Sequence, residues 1–210
     1  MKKLMSLFAL MLLPTLSFAA NYTEGEQYTK VNEEITAKPE VREFFSFYCP
    51  HCFQFEPFVT KIKATLPAGV KLEKNHVDFL RQASPKVQNM LTKAVIVAEQ
   101  MGLEEKVTAA LFNYIHVQRA TFTSEKDIRN IFVLSGADGE KFDKLMKSFS
   151  VVSKAKMMKK QQDYFAKKGA LTGVPAIIVN GKYRINPQKV DKNNFEQDYT
   201  NLVNYLLTLK

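Results

Sequence analysis

The chain has 210 residues, 46% of them apolar and 24% charged, with 30 basic against 21 acidic side chains, two cysteines and no tryptophan. That is a globular composition with ample material for a core, and it excludes a disordered tail or a collagen-like fibre. Two cysteines cannot build a disulfide-rich scaffold, and the length fits one domain or two small ones.

Residues 1–19 read as a secretory signal peptide. Lys2 and Lys3 form a basic start, residues 4–13 an apolar run broken at Pro14, and Ser17-Phe18-Ala19 a cleavage site with small residues at both key positions. Ten residues of helix span only about 15 Å of a roughly 30 Å hydrocarbon core, which argues against a membrane anchor. No later segment is apolar for long enough to span, so the mature protein from Ala20 is expected to be soluble. Losing the two leader lysines lowers the formal net charge from +9 to +7. Export makes nucleic acid an unsuitable partner for that excess, and it exposes the thiols to oxidising conditions.

Strand signals come first in the mature chain: a weak one at 28–31, an aromatic-rich one at 41–48 and a less regular one at 70–79. A helix is expected between the last two, over 50–66, kinked at Pro57. Ser84 then caps a helix with Pro85 at its first position, Val87, Met90, Leu91, Ala94, Val95, Ala98 and Met101 on one face, and Gly102 at its end. Ser124 opens another, with Ile128, Ile131 and Leu134 inward and Gly136 after it. Phe142, Leu145, Met146 and Phe149 mark a third, and 153–168 a fourth that ends before Gly169. The lysines of that fourth helix (Lys154, Lys156, Lys159, Lys160, Lys167 and Lys168) read as a solvated face, with a membrane surface or an acidic partner as the alternative. Residues 176–179 and 182–185 flank Asn180-Gly181, the pair that supplies both positive-φ positions of a type I′ hairpin turn. The tail 191–210 is helical in pattern. The expected class is α/β: a sheet built from the two ends of the chain (20–82 and 153–210), with a helical domain (83–152) inserted between them.

Cys49-Pro50-His51-Cys52 follows a predicted strand and opens a predicted helix. As a structural disulfide its four-residue loop offers only about 2 kcal/mol. As half a zinc site it lacks a second pair of spaced ligands, since His76 and His116 are scattered, and no metal is expected. As a redox pair it has two thiols within mutual reach and one of them exposed. Cys49 sits where the orphan N–H groups and positive dipole end of a helix stabilise a thiolate, with His51 able to add charge nearby. Cys49 is therefore the expected attacking thiol and the more sheltered Cys52 the resolving one. A stabilised thiolate favours the dithiol and makes the disulfide an oxidant.

Phe44-Phe45-Ser46-Phe47-Tyr48-Cys49-Pro50-His51-Cys52, with Gly173-Val174-Pro175 far downstream and helices between, resembles the DsbA family of bacterial periplasmic thiol:disulfide oxidoreductases. The likeness covers essentially the whole mature chain, including Tyr22 to Tyr28, Gly181-Lys182-Tyr183 and Asn186-Pro187-Gln188; Pro57 departs from the family pattern. It implies a thioredoxin fold with an inserted helical domain, a periplasmic location, oxidation of reduced, newly exported proteins and re-oxidation by the membrane protein DsbB. It implies a monomer with no cofactor beyond a Cys49–Cys52 disulfide. Reactive cysteines reach pKa values of about 3.5–7.5 against about 8.5 for a free thiol, and this family itself lies at the low end, so the resulting bias of roughly 1–7 kcal/mol toward the dithiol is the family's property rather than a reading of these residues. The resemblance also makes Val174-Pro175 a cis-proline site whose backbone pairs with an extended substrate; an ordinary strand-start proline is the alternative.

Glu43 shares a strand face with Val41, Phe45 and Phe47, Glu56 lies one turn beyond Cys52, and Lys74 shares parity with Val70 and Leu72. Charges at apolar positions are costly unless paired, so a compensating Glu43, Lys74, Glu56 cluster beneath the cysteines is expected, able to exchange the proton of Cys52. These positions match buried charged residues of the family. A disulfide isomerase or reductase on the same fold, and a peptide-binding chaperone with incidental cysteines, are the competing functions.

Overall fold

A computed structural model describes residues 22–32 and 34–209; the expected signal peptide lies outside them. Five strands form one sheet: β1 (Tyr28–Lys30), β2 (Glu40–Phe45), β3 (Lys71–His76), β4 (Ala176–Val179) and β5 (Tyr183–Ile185), in the order β1-β5-β4-β2-β3. Only β2 and β3 run parallel; the other neighbours are antiparallel. The parallel pair needs a crossover, supplied by α1 (Pro50–Thr65). The two ends of the chain thus meet in one sheet, as the strand signals require.

Seven helices complete the described chain: α1, then α2 (Pro85–Gln100), α3 (Glu104–His116), α4 (Glu125–Leu134), α5 (Gly139–Lys147), α6 (Phe149–Lys167) and α7 (Phe195–Thr208). Phe58 and Ile62 of α1 and Tyr199, Leu202, Val203 and Leu206 of α7 pack on one sheet face against Val41, Ile177, Val179 and Ile185. Phe165 of α6 covers Phe44 and Ile178 on the other. The helical block from α2 to the start of α6 has its own core, which takes in Phe45, Phe47, Cys49 and Cys52. The block is therefore continuous with the segment that carries the cysteines.

Local chemistry explains most boundaries. Ser84 accepts from the Val87 N–H with Pro85 at the first position, and Gly102 ends the α2 turn at φ +69°. Asn180 and Gly181 take φ 50° and 65°, the paired positive values of a type I′ turn. A side chain at Gly181 would also meet the Thr36 methyl at 2.8 Å.

Three expectations about the helices are corrected, and one helix was not expected. Leu134 is 83% exposed, because the inward stripe of α4 runs through Ile128, Ile131, Phe132 and Ser135. Phe149 does not extend the third helix: Ser148 leaves the helical conformation at ψ 148°, ends α5 and caps α6. Consequently α6 begins four residues before position 153, and Phe149, at its start, is 87% exposed. Finally, α3 carries no strong sequence signal, since Leu103 offers no side-chain cap and its buried face includes Thr108. The helix α1 runs through Pro57 to Thr65.

Candidate active site

β2 ends at Phe45, and the backbone turns through Ser46–Tyr48 into α1, a turn closed by the Cys49 N–H donating to the Ser46 carbonyl at 3.0 Å. Cys49 is the N-cap of α1 in extended conformation, and its Sγ accepts from the Cys52 N–H at 3.1 Å. A cysteine thus takes the capping role usually held by Ser or Asp. Pro50 fills the first helical position, where its missing N–H costs nothing.

Both cysteines are free thiols, and they differ in exposure less than the sequence implies. Cys49 keeps only 5% of its surface and Cys52 none, so neither thiol is openly exposed. The cover comes from the helical block, whose core encloses both. The Cys49 pKa is lowered to about 7: the Cys52 thiol donates to its sulfur, and the N–H groups of Cys52 and His51 add to this, together outweighing burial and the Glu43 charge. His51 contributes its backbone N–H, while its side chain is exposed. Burial, with the donation to Cys49, pushes Cys52 far up. One sulfur is built to ionise and its neighbour to stay protonated.

Val174-Pro175 is cis, and the Cys49 Sγ lies 3.3 Å from the Val174 carbonyl oxygen. The loop before β4 therefore lies directly against the sulfur. Next to it a groove of about 280 Å³ is lined by His51, Gln54, Phe55, Pro175, Ile177 and Tyr199.

Glu43, Lys74 and Glu56 do come together. Register places Glu43 beside Lys74 on the parallel pair, and the Lys74 Nζ lies 3.0 Å from Glu43 Oε2 and 2.6 Å from Glu56 Oε2. Glu43 is fully buried and no donor reaches its Oε1. Burial raises its pKa to about 7 against the pull of Lys74, with Glu56 adding to the rise. Burial opposes the Lys74 charge, but the two carboxylates overcome it and hold the pKa above the ordinary lysine value. The Lys74 ammonium also sits 4.5 Å from the Phe45 ring centroid.

The two scattered histidines have structural places. His76 is buried between Phe45 and Phe47, with Nδ1 2.9 Å from Thr92, and burial lowers its pKa to about 3, so it is neutral. His116, at the end of α3, places Nε2 2.8 Å from the Phe47 carbonyl and stacks on Phe53 at 5.1 Å with rings 7° apart. One imidazole therefore holds both sides of the cysteine turn. Sequence reasoning missed it because α3 itself was not legible. Among the described residues no group of three His, Cys, Asp or Glu side chains is placed to hold a metal.

A model of the DSBA-like thioredoxin domain matches residues 40–199. The chain belongs to that family. It is 41% identical to the thiol:disulfide interchange protein DsbA of Escherichia coli K12 over 98% of each chain, and 41% identical to that of Salmonella typhimurium over the full length of both. A Proteus mirabilis DsbA structure with a non-covalently bound peptide superposes with a TM-score of 0.80 at 32% identity, covering 90% of this chain and all of that one. The sheet and inserted helices are thus the DsbA form of the thioredoxin fold, and the chain is a thiol:disulfide oxidoreductase.

Two measurements test the electrostatics. Alkylation of reduced protein by iodoacetamide is expected to rise with pH through a midpoint near 7, where an ordinary thiol gives about 8.5; a midpoint at the ordinary value would contradict the assigned role of Cys49. The second concerns the ion pair. A carboxyl whose pKa rises on folding contributes stability below its ordinary value of 4.5 and loses it as pH climbs through about 7. Without Lys74 nothing opposes the burial of Glu43, so Lys74→Met is expected to cost about 3–5 kcal/mol above neutrality and much less in acid, read from urea unfolding across pH.

Proposed function

We propose that this protein is an exported, periplasmic dithiol oxidase that donates a Cys49–Cys52 disulfide to newly exported, reduced proteins. A membrane protein resembling DsbB returns it to the disulfide state. It works as a monomer, with no cofactor beyond its own two cysteines. The observation that carries this reading is the Cys49 sulfur at the N-terminus of α1, accepting the Cys52 N–H at 3.1 Å.

A substrate thiolate attacks the Cys49 sulfur, the Cys49–Cys52 bond breaks, and its electron pair leaves on Cys52. Cys52 takes up a proton at once, because burial holds its pKa far above neutrality. Glu43, with a pKa of about 7, is suited to supply that proton and to recover one later. A second substrate thiolate then attacks the substrate sulfur of the mixed disulfide. Cys49 departs as a thiolate, a good leaving group for its lowered pKa. Two substrate thiols are oxidised and one protein disulfide is reduced. The Val174 backbone beside Cys49 supports pairing with an extended substrate chain. The peptide held by the Proteus mirabilis relative agrees with such a surface.

The direction follows from linkage. A thiol pKa lowered on folding favours the reduced form above about 7, and that advantage vanishes as the pH falls below it. Equilibration with glutathione buffers is therefore expected to give a potential clearly more oxidising than the about −270 mV of thioredoxin, with Cys49→Ser losing all oxidation of a reduced test protein. A thioredoxin-like potential would make the protein a reductase.

The relay is tested separately. The Glu43 carboxylate holds the Cys49 pKa up, so Glu43→Gln is expected to move the alkylation midpoint below that of the parent. The same variant is expected to flatten the inflection near pH 7 in the rate of disulfide exchange. An upward midpoint shift, or an unchanged rate profile, would remove Glu43 from the mechanism.

A further inference from the structure

We propose that the outer face of α6 is a docking surface for membranes rich in anionic phospholipid. The helix is fixed to the protein along its inner side by Val151, Ala155, Met158, Gln162 and Phe165. At 100° per residue the opposite side carries Phe149, Lys156, Met157, Lys160, Tyr164 and Lys167 as successive neighbours. Phe149 is 87% exposed, Met157 64% and Tyr164 39%, and Tyr164 is tied by its hydroxyl to Asn32 at 3.0 Å with Lys168 over its ring. The three recur at intervals of about two turns with lysines between them, an alternation of apolar and cationic groups along one face.

The lysines among them are the unpaired ones. Lys154 is held by Glu99, and Lys159 by Asp163 and Asp78. Lys156, Lys160 and Lys167 are exposed and enter no ion pair among the described residues. The single carboxylate on the helix, Asp163, is already taken by Lys159. Toward the 32–40 loop, Glu34 and Glu40 border the ridge across a shallow cavity, and Glu40 is bound to Arg42. A free cationic ridge interleaved with Phe, Met and Tyr therefore survives in the folded protein.

Charge complementarity and shape choose the occupant. An acidic protein calls for concave, geometrically specific sites, in which arginine forks are favoured. Here the cations are all lysines, point charges on flexible stems around an open hollow of the helix surface, beside side chains that can enter an acyl boundary. That is the composition of a helix lying in a membrane interface. Each lysine near an anionic surface strengthens binding several-fold, and the attraction weakens with salt.

The test is sedimentation of the full chain with vesicles of phosphatidylcholine alone or mixed with phosphatidylglycerol, with soluble polyglutamate as the acidic-polypeptide probe. The expected result is binding to phosphatidylglycerol vesicles only, reversed by high salt. The triple variant Lys156→Glu, Lys160→Glu, Lys167→Glu is expected to weaken it at least about tenfold. Phe149→Ser should weaken vesicle binding and leave any polyglutamate binding unchanged. No binding to the anionic vesicles, binding kept by the triple variant, or indifference to Phe149→Ser would each overturn the proposal; the last would reduce the ridge to a plain charge patch. Oxidation of a soluble reduced protein, assayed on the same variants, is expected to stay at the parent level. The vesicles carry no protein, so this outcome is independent of the exchange chemistry above.

Discussion

One hydrogen bond organises the chemistry: the Cys52 N–H donating to the Cys49 sulfur. It makes the sulfur part of the helix cap, so the electrostatics that start α1 are the same that stabilise a thiolate. The bond requires β2 to stop at Phe45 and a tight turn at Ser46–Tyr48, so that the cysteine meets the helix axis end-on. Pro50 fits the first helical position, where its missing N–H removes no bond the helix needs. Strand, turn and helix are thus arranged around one atom.

Against this stands a buried negative charge. Glu43 lies fully buried under α1 and pushes the pKa of both thiols upward, opposing what the cap does for Cys49. Stability alone would not place a carboxyl there, because Lys74 only partly offsets its burial and the Glu56 charge adds to the cost. The proposed relay accounts for the arrangement. A group titrating near 7 beside a cysteine that must gain and lose a proton is matched to its task, whereas an ordinary glutamate would be too acidic to return the proton. The oxidising bias of Cys49 is what remains after that compromise.

The sequence discloses these features unevenly. The cysteine turn, the Asn180-Gly181 hairpin and the Ser84-Pro85 helix start were legible because each depends on a few adjacent residues with a fixed geometry. The Glu43, Lys74 and Glu56 grouping was legible from strand parity and one helical turn, since register follows the apolar face. What failed was longer-range or unmarked. Leu134 looked inward by a three-residue step, but the stripe of α4 continues through Phe132 instead. Ser148, a single residue closing one helix and opening the next, hid the start of α6. The exposure of Cys49 could not be read either, because its cover comes from residues far away in sequence.

That cover shows why the helical block belongs to the site. Phe112 of α3 meets Phe47 at 4.9 Å and Phe53 at 5.7 Å, one ring on each side of the cysteine turn. His116, one helical turn later, stacks on Phe53 and bonds the Phe47 carbonyl. Two residues of the insertion thus grip the segments before and after the cysteines, while the cis-Pro loop closes from the sheet side. Holding Cys49 at 5% exposure works against its thiolate, and the hydrogen bonds of the cap outweigh that cost. The groove beside Pro175 lies open next to it. The insertion therefore acts on the site through packing: Phe112 and His116 hold the turn from both sides, which the strand and helix alone do not.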